Sequence, residues 1–104
     1  MKLHSDFNNK IVNYLNKDFT EVESSLLKAY FYSSEDELLL VKFENSEDIY
    51  YYNLPKNIFR SFLCSDSKGS FFARKIKKAY PWKKVDHDII QKAQPLSVKG
   101  EQLA

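Results

Sequence analysis

The sequence predicts an α+β domain: a three-stranded antiparallel β-meander packed against two C-terminal helices, with an additional N-terminal amphipathic helix. Three observations predict it. Apolar residues recur at spacings of four near the start of the chain, three β-prone runs separated by short polar turns follow, and helical spacing returns after Pro55.

Phe7, Ile11 and Leu15 stand four residues apart with Val12 beside them, the stripe of an amphipathic helix from Ser5 to about Lys17. Ser5 is placed to cap it. Ser25 to Tyr32 is rich in aliphatics and tyrosine, and Ser33-Ser34-Glu35-Asp36 then turns the chain into the dense apolar run Glu37 to Phe43. Glu44-Asn45-Ser46-Glu47 turns it again, into a segment Asp48 to Tyr52 that is β-prone through Ile49 and three consecutive tyrosines. Turns this short favour antiparallel neighbours.

Pro55 suits the first turn of a helix, where its missing N–H costs nothing. Ile58, Phe59, Phe62 and Leu63 mark that helix's buried stripe, and Cys64 at its end reads as a small core residue. After the break Ser65-Asp66-Ser67-Lys68-Gly69, a second helix is expected from Ser70 to Tyr80, with Phe72, Ile76 and Tyr80 as its inner edge and Pro81 as its stop. Asp86 to Ala93 has the pattern of another helical turn or two, and Gln94 to Ala104 that of a frayed tail. The implied organisation is an N-terminal helical extension over 1–22, an α+β domain over 23–85 and a partly helical or disordered tail over 86–104.

Sixteen aromatic residues (Phe 8, Tyr 7, Trp 1) in 104 give a short chain large contact areas without cross-links. Cys64 is the only cysteine, so no internal disulfide exists and a Cys-rich metal cage is excluded. The start Met1-Lys2-Leu3-His4-Ser5-Asp6 lacks the apolar core of a signal peptide, and no apolar run approaches the roughly 18 residues that span a bilayer. The expected compartment is therefore the cytoplasm, with no membrane partner. Charge is uneven: five lysines face ten acids up to Leu54, a net of −5, whereas eleven bases face four acids from Pro55 onward, a net of +7.

Several separate anchors stand at consistent spacing: Ser25, Leu27, Tyr30 and Tyr32; Leu39-x-Val41-x-Phe43; Ile49-x-Tyr51-x-x-Leu54-Pro55; Ile58-Phe59; Ser67-Lys68-Gly69-x-Phe71-Phe72; and Ile76 with Tyr80. Together they resemble the KTSC domain, a short module found alone in bacterial and phage proteins and at the C-terminus of some lysyl-tRNA synthetases. Ile49 stands where the family's central Tyr-x-Tyr pair has its first tyrosine, and Ala73 where an asparagine usually follows the Phe-Phe pair. The resemblance implies a small α+β fold and, through the attachment to a tRNA enzyme, RNA binding. It implies no catalytic residue, and no cofactor is expected.

Two surfaces are candidates for binding. From Ser67 to Lys84 the chain carries Lys68, Arg74, Lys75, Lys77, Lys78, Lys83 and Lys84 with no acid, interleaved with Phe71, Phe72, Tyr80 and Trp82. Helical spacing puts Arg74, Lys75 and Lys78 on one face with Lys77 at its flank, a strip suited to a phosphate backbone, and Trp82 is either a stacking platform for a base or an aromatic packed on the core. A solvated helix face balanced by the acidic strand turns is the plainer reading of the same lysines. The second surface follows from strand alternation: if Leu39, Val41 and Phe43 face the helices, Ile49 and Tyr51 should join them, leaving Leu38, Leu40, Tyr50 and Tyr52 on the opposite face. That face is either covered by the N-terminal helix or open to a protein partner, the role expected of a phage or mobile-element accessory that inhibits a host complex.

Catalytic chemistry finds little support. His4 and His87 are far apart in sequence with no third partner, and no Ser/His/Asp order or carboxylate pair stands out. Ser67-Lys68-Gly69 before a helix is a place where backbone N–H groups hold an anion or a nucleotide; equally, Ser67 or Ser70 caps the helix and Gly69 supplies a positive φ. It is not a Walker loop.

Overall fold

The computed structural model describes residues 2–93, with side chains described for 7–91. The described residues divide into two compact units, one of residues 19–84 and one made from the segments on either side of it, 2–18 and 85–93.

In the terminal unit, α1 (Lys2–Leu15) lies against α4 (His87–Ala93). Ile11, Ile89 and Ile90 are buried, as amphipathic spacing requires. The helix α1 begins three residues before Ser5, so Ser5 lies inside it and is not its cap. The helix expected after Asp86 is present, its first turn closed by the Ile89 and Ile90 N–H groups donating to the Asp86 carbonyl at 3.0 and 3.1 Å. The tail expected from Gln94 lies outside the described residues.

The larger unit is built on five antiparallel strands in the order β1 (Thr20–Glu21), β2 (Leu27–Ser33), β3 (Leu38–Phe43), β4 (Ile49–Asn53) and β5 (Trp82–Lys84). The three central strands are the expected meander. The two outer ones correct the expected count: with two and three residues, all exposed, they carry no alternating apolar pattern that a sequence could show. Between β4 and β5 run α2 (Lys56–Cys64), α3 (Lys68–Phe71) and a π-helical turn (Phe72–Ile76). The single helix expected over Ser70 to Tyr80 is therefore a short α-turn that widens, the Lys77 N–H donating to the Phe72 carbonyl five residues back at 2.9 Å. The described residues thus hold four α-helices: the N-terminal one, α2, the short α3 that with the π-turn replaces the second expected C-terminal helix, and α4 over the helical turns expected after Asp86.

Cross-strand register corrects the assignment of sheet faces. Leu39 pairs with Tyr52 and Val41 with Tyr50, whereas Leu40 pairs with Tyr51 and Lys42 with Ile49. Directly opposed residues share a face. Tyr50 and Tyr52 therefore stand on the helix-covered side with Leu39 and Val41, and Ile49 and Tyr51 on the other side with Leu38 and Leu40. Odd positions of β3 meet even positions of β4, so alternation cannot be carried across the turn by parity. A bulge between Leu27 and Ala29 does the same within β2, letting Leu27, Tyr30 and Tyr32 all join the helix-side core.

Phe62, Phe72 and Ile76 fill the space between helices and sheet, against Leu27, Leu39, Val41 and Leu54, all fully buried. Their aromatic contacts are mostly edge-on, as ring quadrupoles favour: Tyr30 with Phe62 at 5.2 Å and 87°, Tyr52 with Phe72 at 5.2 Å and 85°. Leu63, 41% exposed, and Cys64, also exposed, depart from the expected stripe because α2 buries only the side that carries Phe62. Gly69 has no positive φ. Its requirement is proximity: a Cβ there would run into the Ser24 hydroxyl and stand 3.2 Å from the Ser24 Cβ. Ser67 is the cap, its hydroxyl accepting the Ser70 N–H at 3.2 Å.

Candidate functional site

Register places Trp82 of β5 opposite Tyr52 and Lys84 opposite Tyr50, extending the helix side of the sheet beyond the cover of α2 and α3. A row of rings results. Phe43 meets Tyr50 edge-on at 5.4 Å, Tyr50 meets Trp82 at 5.5 Å and 61°, and Tyr52 lies 6.4 Å from Trp82. Trp82 itself is 54% exposed, because it sits on an edge strand with no further strand beside it.

These four rings line a cleft of about 520 Å³. Lys77 and Lys78, on the turn that follows the π-helical segment, also line it. Ser25 and Leu26, just before β2, and Glu44, Asn45 and Ser46 of the β3–β4 turn complete the lining. Ser46 shapes that turn by accepting the Asp48 N–H at 3.0 Å. The lining thus combines four aromatic residues, two lysines and one glutamate with asparagine and two serines. Such a lining suits a flat, polar-edged ligand bearing negative charge. Burial first, and Tyr50 second, push the Tyr52 hydroxyl up to about 12, so it stays protonated at neutral pH.

The seven cations of the basic segment are not gathered on one surface. Lys77 and Lys78 flank the cleft, and Arg74 and Lys75 are exposed on the π-helical turn just before them. Lys84 shares the cleft side of the sheet but is engaged by Asp48, Nζ to Oδ2 at 3.7 Å. Lys83 pairs with Tyr51 and falls on the opposite face. Lys68 is half-buried in α3, where the Ser67 hydroxyl already occupies a helix-start N–H.

Of the second candidate surface, Leu38 and Leu40 are buried on the side away from α2 and α3, and Tyr50 and Tyr52 belong to the cleft. On that far side the Lys42 ammonium stands 4.3 Å from the centroid of Phe19, which in turn lies 6.0 Å from Phe31. Burial, with Lys28 adding repulsion, lowers the Lys42 pKa. Sequence reasoning passed over Phe43, Glu44, Asn45 and Ser46 as cleft residues, since a polar turn after a strand carries no sign of what faces it. Among the described residues no group of three or more His, Cys, Asp or Glu is disposed to hold a metal ion, and no helix is long and apolar enough to cross a membrane.

Comparison with known proteins gives one family and one fold. No curated protein sequence matches the chain. A crystal structure of a KTSC domain protein from Yersinia pestis superposes with a TM-score of 0.60 at 26% identity, over 66% of this chain and 97% of that one. The KTSC domain model matches residues 23–80, more than half the chain and the greater part of the five-stranded unit, and this protein belongs to the KTSC domain family.

Proposed function

We propose that this protein is a non-enzymatic binding domain for RNA or another polyanion, and that the cations serving it are Arg74, Lys75, Lys77 and Lys78. One observation carries the reading: an exposed tryptophan, Trp82, shares an aromatic cleft with Lys77 and Lys78. Aromatic platforms beside cations are how single-stranded nucleic acid is held without a sequence code, the rings stacking on bases and the ammonium groups neutralising phosphates. The attachment of KTSC domains to some lysyl-tRNA synthetases, implied by the resemblance, points the same way. Lys84, engaged by Asp48, and Lys83, on the other face, contribute less than their place in the sequence suggests.

The test is equilibrium binding of fluorescein-labelled single-stranded RNA across a series of salt concentrations. Four phosphate contacts would give a log–log salt slope of roughly −3. No retention of RNA at low salt, or an affinity indifferent to salt, overturns the reading.

A further inference from the structure

We infer that the cleft lined by Trp82, Lys77 and Lys78 is a pocket for a single unpaired nucleobase, adenine or cytosine in preference to uracil. This rests on the RNA reading above and specifies what the site would select.

The size fits one flat ligand: about 520 Å³ lies within the range of pockets that enclose small molecules. The walls fit a base. Tyr50 and Trp82 pack edge to face, 5.5 Å apart at 61°, so a base does not enter between them but lies against the exposed Trp82 ring. A base inside a duplex is already stacked above and below and cannot enter, which makes the pocket selective for single strands.

Charge sets the orientation. Lys77 and Lys78 are the cations among the lining residues and Glu44 is the acid, so a phosphate is attracted to the two lysines and repelled from Glu44. The edge of the base is then turned toward Glu44, with Asn45 and Ser46 beside it. A carboxylate accepts hydrogen bonds and gives none. It pairs with the amine of adenine or cytosine and opposes the carbonyl O4 that uracil presents at the corresponding position. Glu44 therefore discriminates, and the lysines do not.

Titration with oligocytidine, oligoadenosine, oligouridine and a duplex tests this, with two readouts: anisotropy of labelled RNA, and emission of Trp82, the only tryptophan of the chain. The amine-bearing strands should bind about tenfold more tightly than oligouridine and quench Trp82, and E44Q should shrink that difference to about threefold or less. The duplex should bind only through its backbone and leave Trp82 emission unchanged. W82A should lose the preference for single strands while keeping salt-sensitive binding; both substitutions are at exposed positions, and W82F, which keeps a ring there, should retain the preference. Equal affinity for cytidine and uridine strands, or binding without quenching, overturns the pocket and leaves RNA binding standing. Failure of every RNA to bind at low salt overturns both.

Discussion

The Tyr32 hydroxyl donates a 2.7 Å hydrogen bond to the carbonyl of Leu54, joining β2 to the residue before Pro55, where the chain leaves β4 for α2. The same ring stacks on Phe59 of α2 at 3.9 Å and 12°. One side chain thus fixes the start of α2 in two ways. Tyr32→Phe removes the hydrogen bond and keeps the stack, and should cost about 1 kcal/mol in urea unfolding. Tyr32→Ala removes both and should cost about 3 kcal/mol. Equal losses for the two would mean that the stack contributes nothing.

Glu37 completes this junction from the other side. It sits at φ 53°, its carbonyl accepts the Leu54 N–H at 2.9 Å, and its carboxylate accepts the Lys56 N–H at 3.3 Å, capping α2 in place of the side chain that Pro55 lacks. Glu37→Ala keeps the left-handed backbone and loses the cap, so a loss of about 1 kcal/mol is expected. Glu37→Gly loses the same cap but relieves the left-handed penalty, and should lie close to wild type. Thermal melts of the two variants decide it; a glycine variant less stable than the alanine one would show that the backbone there is not strained.

Gly69 and Ser24 should behave as a coupled pair. The Ser24 hydroxyl accepts the N–H groups of Leu26 and Leu27 at 3.0 and 3.2 Å, which holds it where a Cβ on residue 69 would lie. Gly69→Ala should destabilise by about 2 kcal/mol. Adding Ser24→Ala removes the atom that is struck, so the double variant should be more stable than the sum of the single losses by about 1 kcal/mol. Strict additivity in chemical denaturation would mean that the two do not meet.

Alkaline stability reports on Tyr52. An unfolded tyrosine ionises near pH ~10, whereas the folded Tyr52 holds its proton to about 12. Between those values unfolding releases a proton, so the contribution is fully present below about pH 10 and is lost as pH rises toward 12. Tyr52→Phe cannot ionise in either state. The urea midpoint of the wild type should therefore fall more steeply than that of the variant between about pH 9 and about pH 11, and parallel declines would count against a buried hydroxyl.

The central strands and α2 were legible in the sequence because each buries a full stripe: Leu39, Val41 and Phe43 at period two, Phe62 with Ile58 and Phe59 at helical spacing. The side of β4 was not. Which of Tyr50 or Tyr51 points at the helices depends on the pairing of Val41 with Tyr50, a property of the turn and not of either strand. The cleft inherited that ambiguity, because placing Tyr50 and Tyr52 on the far face removes two of its walls. Trp82 and the lysines could be read as a run of residue types, but β5 is too short to announce itself, and only its pairing separates Trp82 and Lys84 from Lys83.

That separation distinguishes the lysines functionally. Lys77 and Lys78 border the cleft, whereas Lys84 is 3.7 Å from Asp48 and Lys83 faces away. Replacing Lys77 and Lys78 together by alanine should weaken single-stranded RNA binding and make the salt slope shallower by about 1.4, the share of two phosphate contacts. Replacing Lys83 and Lys84 removes the same formal charge but should alter the slope by less than half as much, since Lys84 must first give up its carboxylate partner. If the two double variants shift the slope equally, binding follows total charge, and the arrangement of Lys77, Lys78 and Trp82 around the cleft has no part in it.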